Sequence, residues 1–205
     1  MKRLLFFLTL ALLPVPAQNT REIAERARAH APADDSVPSK LVHAALDRTH
    51  QVVRYEPAYV KLDYPGGDVP ADTGVCTDEV IRSYRKLGFD LQKLVHEDMK
   101  RHFAAYPKHW GLSAPDKNID HRRVPNLQVF FKRQGASLPV TQNGSDYLPG
   151  DLITCTVAGK LPHIALVVPE LSELALEPGA RRAFVVHGLV DGLRGVVIIN
   201  PDQRI

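Results

Sequence analysis

Pro149-Gly150-Asp151-Leu152-Ile153-Thr154-Cys155-Thr156-Val157 and, after a short break, Pro162-His163-Ile164-Ala165-Leu166-Val167-Val168 decide the fold. Both are short apolar runs rich in β-branched residues and bounded by Gly or Pro, which is how strands read. Strands are expected at 151–157 and 163–168, and two runs of the same character at 183–187 and 195–199 extend the series. Asp151, in the Pro-Gly-Asp turn, is expected to brace the start of the first strand.

Upstream the pattern changes to helical spacing. Val80, Ile81, Tyr84 and Leu87 fall at i, i+1, i+4 and i+7, which predicts a helix from Cys76 to Leu87 with Gly88 as its stop. Helices are also predicted over 20–30, 39–50, 91–105 and 125–134. The second has Ser39 as N-cap and Leu41, Ala44, Ala45 and Arg48 at helical spacing. The last has Pro125 in its first turn, Leu127, Phe130 and Phe131 inward, and Gly135 as its stop. A linker is expected at 31–38. Residues 55–73 carry Pro57, Pro65, Gly66, Gly67 and Pro70, which forbids a long helix and predicts extended chain forming one wall of a cleft. Helices first and antiparallel strands second argue for an α+β fold, and no parallel αβ repeat, internal repeat or low-complexity segment is visible.

Lys2 and Arg3 precede the apolar run Leu4–Leu13, and Val15-Pro16-Ala17 supplies small residues at a cleavage site. This predicts a secretory signal peptide over 1–17. The run is well short of the ~20 apolar residues that span a bilayer, so no stable membrane insertion is expected after cleavage. With no cysteine near the cleavage site, a lipid anchor is not expected. Export across the inner membrane to the periplasm follows, with a helix and linker over 18–38 and one domain over 39–205. The chain carries 26 basic and 23 acidic side chains; removal of Lys2 and Arg3 leaves 24 against 23, a net charge near +1. Such a surface lacks the basic stripe of a nucleic-acid binder.

Cys76 and Cys155 are the two cysteines of the chain, and in an oxidising compartment one reading is a disulfide between them. The other is that Cys76 is a free nucleophile. Their surroundings favour the second, since Cys76 stands at a helix start and Cys155 inside an apolar strand. A helix N-terminus lowers a thiol pKa, whereas Asp78 and Glu79 in the same turn oppose the thiolate unless they point outward. An imidazole partner is therefore expected. His163 stands at the mouth of one strand and His187 at the end of the next, so antiparallel pairing would let His187 orient His163.

The other histidines carry less. His96 and His102 are too far apart on their helix for the i, i+4 pair of a zinc protease. His109 beside Trp110, and the run Asp120-His121-Arg122-Arg123, could bind an acidic group of a ligand or simply solvate a loop. No metal or nucleotide motif is present, and no cofactor is expected.

Tyr64-Pro65-Gly66-Gly67, Gly74-Val75-Cys76-Thr77-Asp78, Pro149-Gly150-Asp151-Leu152, Pro162-His163-Ile164-Ala165 and Val186-His187 resemble successive landmarks of the NlpC-type papain-like cysteine peptidases. More specifically, Asp63 to Leu94, His96 to Met99 and Asn118 to Leu127 resemble the bacterial domain-of-unknown-function family numbered 1287, over about residues 40–190. The resemblance implies a papain-like (NlpC-type) α+β fold, N-terminal helices packed on a C-terminal antiparallel sheet. It implies Cys76 as nucleophile, His163 as base and His187 as third polar residue, with Tyr64, Asp78, His121 and Arg122 as substrate-binding candidates.

Two departures stand out: residues 192–205 end sooner and differently than this fold leads one to expect, so an incomplete last strand and an open sheet edge are expected. The 169–182 insert has no assigned role. The function expected is an exported thiol hydrolase cleaving an amide bond, with peptidoglycan stem peptides as substrate. The alternatives are an inactive cell-envelope binding module, or the same cysteine chemistry on another ester, thioester or amide. No protein partner is assigned.

Overall fold

The computed structural model describes residues 25, 27–141, 146–157, 160–169, 184–185 and 197–199. The expected signal peptide, His187 and most of the 169–182 insert lie outside the described residues. Within the expected 20–30 helix, residues 25 and 27–29 are helical.

Helix α1 spans Val37–Arg48. Its N-cap is Ser36, whose side chain accepts from the Ser39 amide, so the cap lies three residues before the expected Ser39 and the linker is correspondingly shorter. Pro38 explains the shift, because a proline lacking N–H is well suited to a first helical turn. Ser39 sits inside the helix and donates to the Pro32 carbonyl. Leu41, Ala44 and Ala45 are buried as their spacing predicts. Arg48 is paired with Glu79 at 2.9 Å.

Helices α2 (Cys76–Lys86), α3 (Leu91–His102) and α4 (Val124–Arg133) follow close to their predicted limits. A 3-10 turn over Phe103–Ala105 completes the stretch after α3, and a second spans Asp120–Arg122. Gly88 and Gly135 stand at φ +91° and +77° beyond α2 and α4, left-handed positions where glycine ends a helix at little cost.

Arg54–Tyr55 (β1) and Thr73–Gly74 (β2) form a small parallel pair that bracket the extended 55–73 segment. The main sheet contains Ser137–Leu138 (β3), Leu152–Val157 (β4), Leu161–Val168 (β5), Phe184–Val185 (β6) and Val197–Ile199 (β7), in the order β3-β7-β4-β5-β6. Every pairing in it is antiparallel. The chain is thus α+β. The expectation of an open edge left by an incomplete last strand is corrected: β7 lies inside the sheet, between β4 and the short β3, which no periodicity announced.

Strand alternation divides the sheet into two faces. Leu152, Ile164, Leu166 and Val168 enter the main core with Leu41 and Leu46 of α1, Ile81 and Tyr84 of α2, Leu91, Val95 and Met99 of α3, and Leu127, Phe130 and Phe131 of α4. Ile153 and Val167 face the other way, against Leu138 and Tyr147. The helical layer therefore packs on one face of the β4–β5 hairpin, and that contact brings the start of α2 to β5. Asp151 does brace the strand start, its carboxylate accepting the Leu148 amide at 2.8 Å across the Pro149-Gly150 turn.

Candidate functional site

Chain direction at Cys76 is fixed from both sides. Val75 is extended and Cys76 is the first residue of α2. The Val75 amide donates to Asp78 Oδ2 at 2.7 Å, while the Asp78 amide donates to the Val75 carbonyl at 2.9 Å. This reciprocal pair satisfies groups that a helix start otherwise leaves open. Gly74 fits because a Cβ there would stand 3.3 Å from Arg82 Nη1 and from the Asp78 carboxylate.

Arg122 ties this turn to the rest of the molecule. Its Nε and Nη2 donate to Asp78 Oδ1 and Oδ2 at 2.8 and 2.9 Å, with both side chains buried (2% and 3% exposed). Its Nη1 and Nη2 also donate to the carbonyls of Ala58 and Glu56, at 3.1 and 3.4 Å, and its own carbonyl accepts from Thr77 Oγ1 at 3.0 Å. A planar guanidinium is suited to this bidentate and branching role in a way that lysine is not.

The extended 55–73 wall is pinned as firmly. Arg82 of α2 donates to Asp68 and to the carbonyls of Val69, Pro70 and Thr73. Gln92 of α3 accepts from the Gly67 amide and donates to the Asp63 and Lys117 carbonyls. Asn118 accepts from the Leu62 amide. Arg82 and Gln92 escaped the sequence reading, since a polar residue on an amphipathic helix looks like a solvated one.

Cys76 is half-buried and Cys155 buried, and both are free thiols. The helix that begins at Cys76 packs against β5, and the backbone of Ile164, the residue after His163, acts on the Cys76 thiol. Strand geometry explains how. Val167 donates to Asp151 and accepts from Gly150, so its peptide groups face β4. Amides alternate in direction along a strand, so that of Ile164 points away from β4. On that side the described part of β6 pairs with Val167 and Val168.

Burial pushes the Cys76 thiol up, and the Asp78 charge adds to it. The backbone of Ile164, Thr77 and Cys76 itself acts in the opposite direction without prevailing. The expected fall from the helix terminus is therefore corrected: dehydration outweighs the dipole at this half-buried position. Asp78 points inward rather than outward, and Glu79 is held by Arg48 and Arg82.

His163 is half-buried and stands opposite Cys155 in the β4–β5 register, so these two side chains share a sheet face. The structure brings Cys76 to the backbone beside His163. His187 lies outside the described residues.

The expected substrate-binding set is redistributed. Asp78 and Arg122 bind each other, leave almost no exposed surface, and hold the Cys76 turn in place. His121 is 2% exposed, and burial with the neighbouring Arg122 charge pushes its pKa down to about 3, so it is a neutral interior imidazole and not a cationic surface contact. Tyr64 belongs to a different neighbourhood, its ring edge-on to His96 at 5.1 Å and 5.6 Å from Lys117 Nζ. Among the described residues, no group of three His, Cys, Asp or Glu side chains is placed to hold a metal ion, and no helix is long and apolar enough to cross a membrane.

The family model described as domain of unknown function (DUF1287) matches residues 42–194. The chain is also 55% identical over 127 residues to the uncharacterized protein YijF of Escherichia coli (strain K12). That match covers 62% of each chain, so this protein spans under two thirds of the relative it matches. No solved structure matches. The matched region includes the Cys76 turn, the Asp78–Arg122 pair and both strands of the β4–β5 hairpin, and the chain belongs to the DUF1287 family.

Proposed function

We propose that this protein is an exported, periplasmic thiol hydrolase on a papain-like (NlpC-type) fold, cleaving an amide bond of peptidoglycan stem peptides. One observation supports the reading: the thiol stands at the first residue of α2, and α2 packs against β5, the strand that carries the histidine the sequence pattern pairs with it. The compartment and the substrate rest on the leader-like N-terminus and on the resemblance to NlpC-type peptidases.

Because burial holds Cys76 as a thiol, the proposed cycle starts from the protonated sulfur and not from a preformed thiolate. His163 takes the S–H proton as the sulfur attacks the amide carbonyl. The resulting oxyanion is held by backbone N–H groups at the helix start. Collapse breaks the C–N bond, the imidazolium returns its proton to the leaving amine, and a thioester remains on Cys76. Water then attacks with His163 again as base, releasing the carboxylic acid and the thiol. His187 orients His163 throughout.

The test is incubation of the purified protein with stem-peptide fragments, read by mass spectrometry for hydrolysis products. Cys76→Ala and His163→Ala should each lower product formation by about 10³-fold or more, as loss of a nucleophile or its base does. Activity that survives Cys76→Ala would sink the reading. The second reading, a binding module without catalysis, is favoured by the raised thiol pKa. Intact fragments retained equally by the parent and by Cys76→Ala would establish it.

A further inference from the structure

Two large rings lie exposed yet held by polar contacts. Tyr59 is 58% exposed and Trp110 40% exposed. The Tyr59 hydroxyl donates to Asp116 Oδ2 at 3.0 Å and accepts from Asn118 Nδ2 at 2.8 Å. Asp120 accepts from the Asp116 amide and, at 3.0 Å, from Arg123 Nη1. The Arg123 guanidinium in turn lies over the Trp110 ring, 4.0 Å from its centroid. One chain of contacts thus runs from Tyr59 through Asp116, Asp120 and Arg123 to Trp110. Exposed aromatic side chains immobilised in this way pay little ordering entropy when a ligand stacks on them.

Their position is set by Arg122. Its carbonyl takes the Thr77 hydroxyl and its guanidinium takes the Ala58 carbonyl. Arg123 and Tyr59 are therefore each one residue from a group in direct contact with the Cys76 turn or with its buried ion pair.

We propose that Tyr59, Trp110 and Arg123 form a saccharide-binding platform that holds the glycan part of the substrate, while the Cys76 side takes the peptide; the choice of substrate rests on the hydrolase reading above. A pyranose ring has an apolar C–H face and a hydroxyl rim, which complements an aromatic face flanked by Asp116, Asn118 and Arg123. Anionic polymers and anionic lipid fit less well, because the part-exposed Asp116 carboxylate, held by the Tyr59 hydroxyl, would repel phosphates.

Trp110 is the chain's one tryptophan, so its fluorescence and its indole N–H resonance report on the platform directly. The full chain carrying Cys76→Ala would be titrated with a β-1,4-linked N-acetylglucosamine tetrasaccharide and, separately, with a stem pentapeptide lacking sugar. The expected result is a saturable change of both Trp110 signals with the tetrasaccharide and none with the peptide. Tyr59→Ala should weaken that binding by about ten-fold. Tyr59→Leu, which keeps apolar bulk and removes the π face, replaces it if circular dichroism shows the alanine variant unfolded. No response to the sugar, a response to the peptide alone, or unchanged affinity in the folded Tyr59 variant overturns the platform. Glycan binding by a protein whose Cys76 proves inert supports the platform and removes the hydrolase; cleavage without glycan binding does the reverse.

Discussion

Arg122→Met should be among the most damaging single changes in this protein. It removes a buried guanidinium that makes two bonds to Asp78 and further ones to the Ala58 and Glu56 carbonyls. What remains is the Asp78 carboxylate, 3% exposed, with the Val75 amide still donating to it. Breaking a buried pair from one side typically costs about 3–5 kcal/mol, because the surviving charge loses its partner without regaining water. For a chain of this size that corresponds to a fall in Tm of roughly 6–20 °C. Urea unfolding followed by circular dichroism measures it, with Asp78→Asn and the Asp78→Asn/Arg122→Met double variant completing a cycle. The double variant has no unpaired charge and should be more stable than the sum of the single losses by about 2 kcal/mol or more. A loss below about 0.5 kcal/mol for Arg122→Met, or simple additivity, would refute the idea that this pair ties α2 to the 56–58 segment.

Three further outcomes are expected. His121 is neutral in the fold with a pKa near 3, below its ordinary value of 6.5, so the unfolded chain binds a proton first as pH falls. Stability should decline from pH 6.5 towards 3, by roughly 3–5 kcal/mol at the low end. Urea midpoints across that range would show it, and His121→Gln should flatten the slope; the raised pKa of Asp120 acts in the opposite sense and stays in both proteins. Cys76, with its thiol pushed up, should react with an alkylating reagent along a pH profile displaced to the alkaline side of a model thiol, and a displacement to the acid side would contradict its burial. Gly150 has φ +100°, and a Cβ there would stand 2.5 Å from Pro38 Cβ, so Gly150→Ala should cost about 2 kcal/mol or more in the same unfolding assay.

Much of the architecture was legible one residue at a time. Helical spacing located α2 and α4 within a residue, because Val80, Ile81, Tyr84, Leu127, Phe130 and Phe131 report a core face whatever that face packs against. The β-branched runs located β4 and β5 for the same reason, and the sequence order of helices and strands is enough for α+β. Cys76 at a helix start was equally plain, since Gly88 behind it and the apolar stripe between them are local signals. By itself, then, the sequence determined the elements, the position of the thiol within them and the DUF1287 membership.

Tertiary structure alone decided what those residues experience. Asp78 and Arg122 are separated by 44 positions, and nothing at either end announces the other. Two charges that look like ligand contacts in the sequence become each other's partner because the 3-10 turn at Asp120–Arg122 packs against the start of α2. Val197–Ile199 falls in the strand expected at 195–199, but its place inside the sheet, between β3 and β4, could not be read off, because strand order is set by non-local ladders and not by chain order. The Cys76 thiol shows the same division most sharply: its helix-start position argues for a lowered pKa, and the burial that raises it exists only once β5 has packed beside α2.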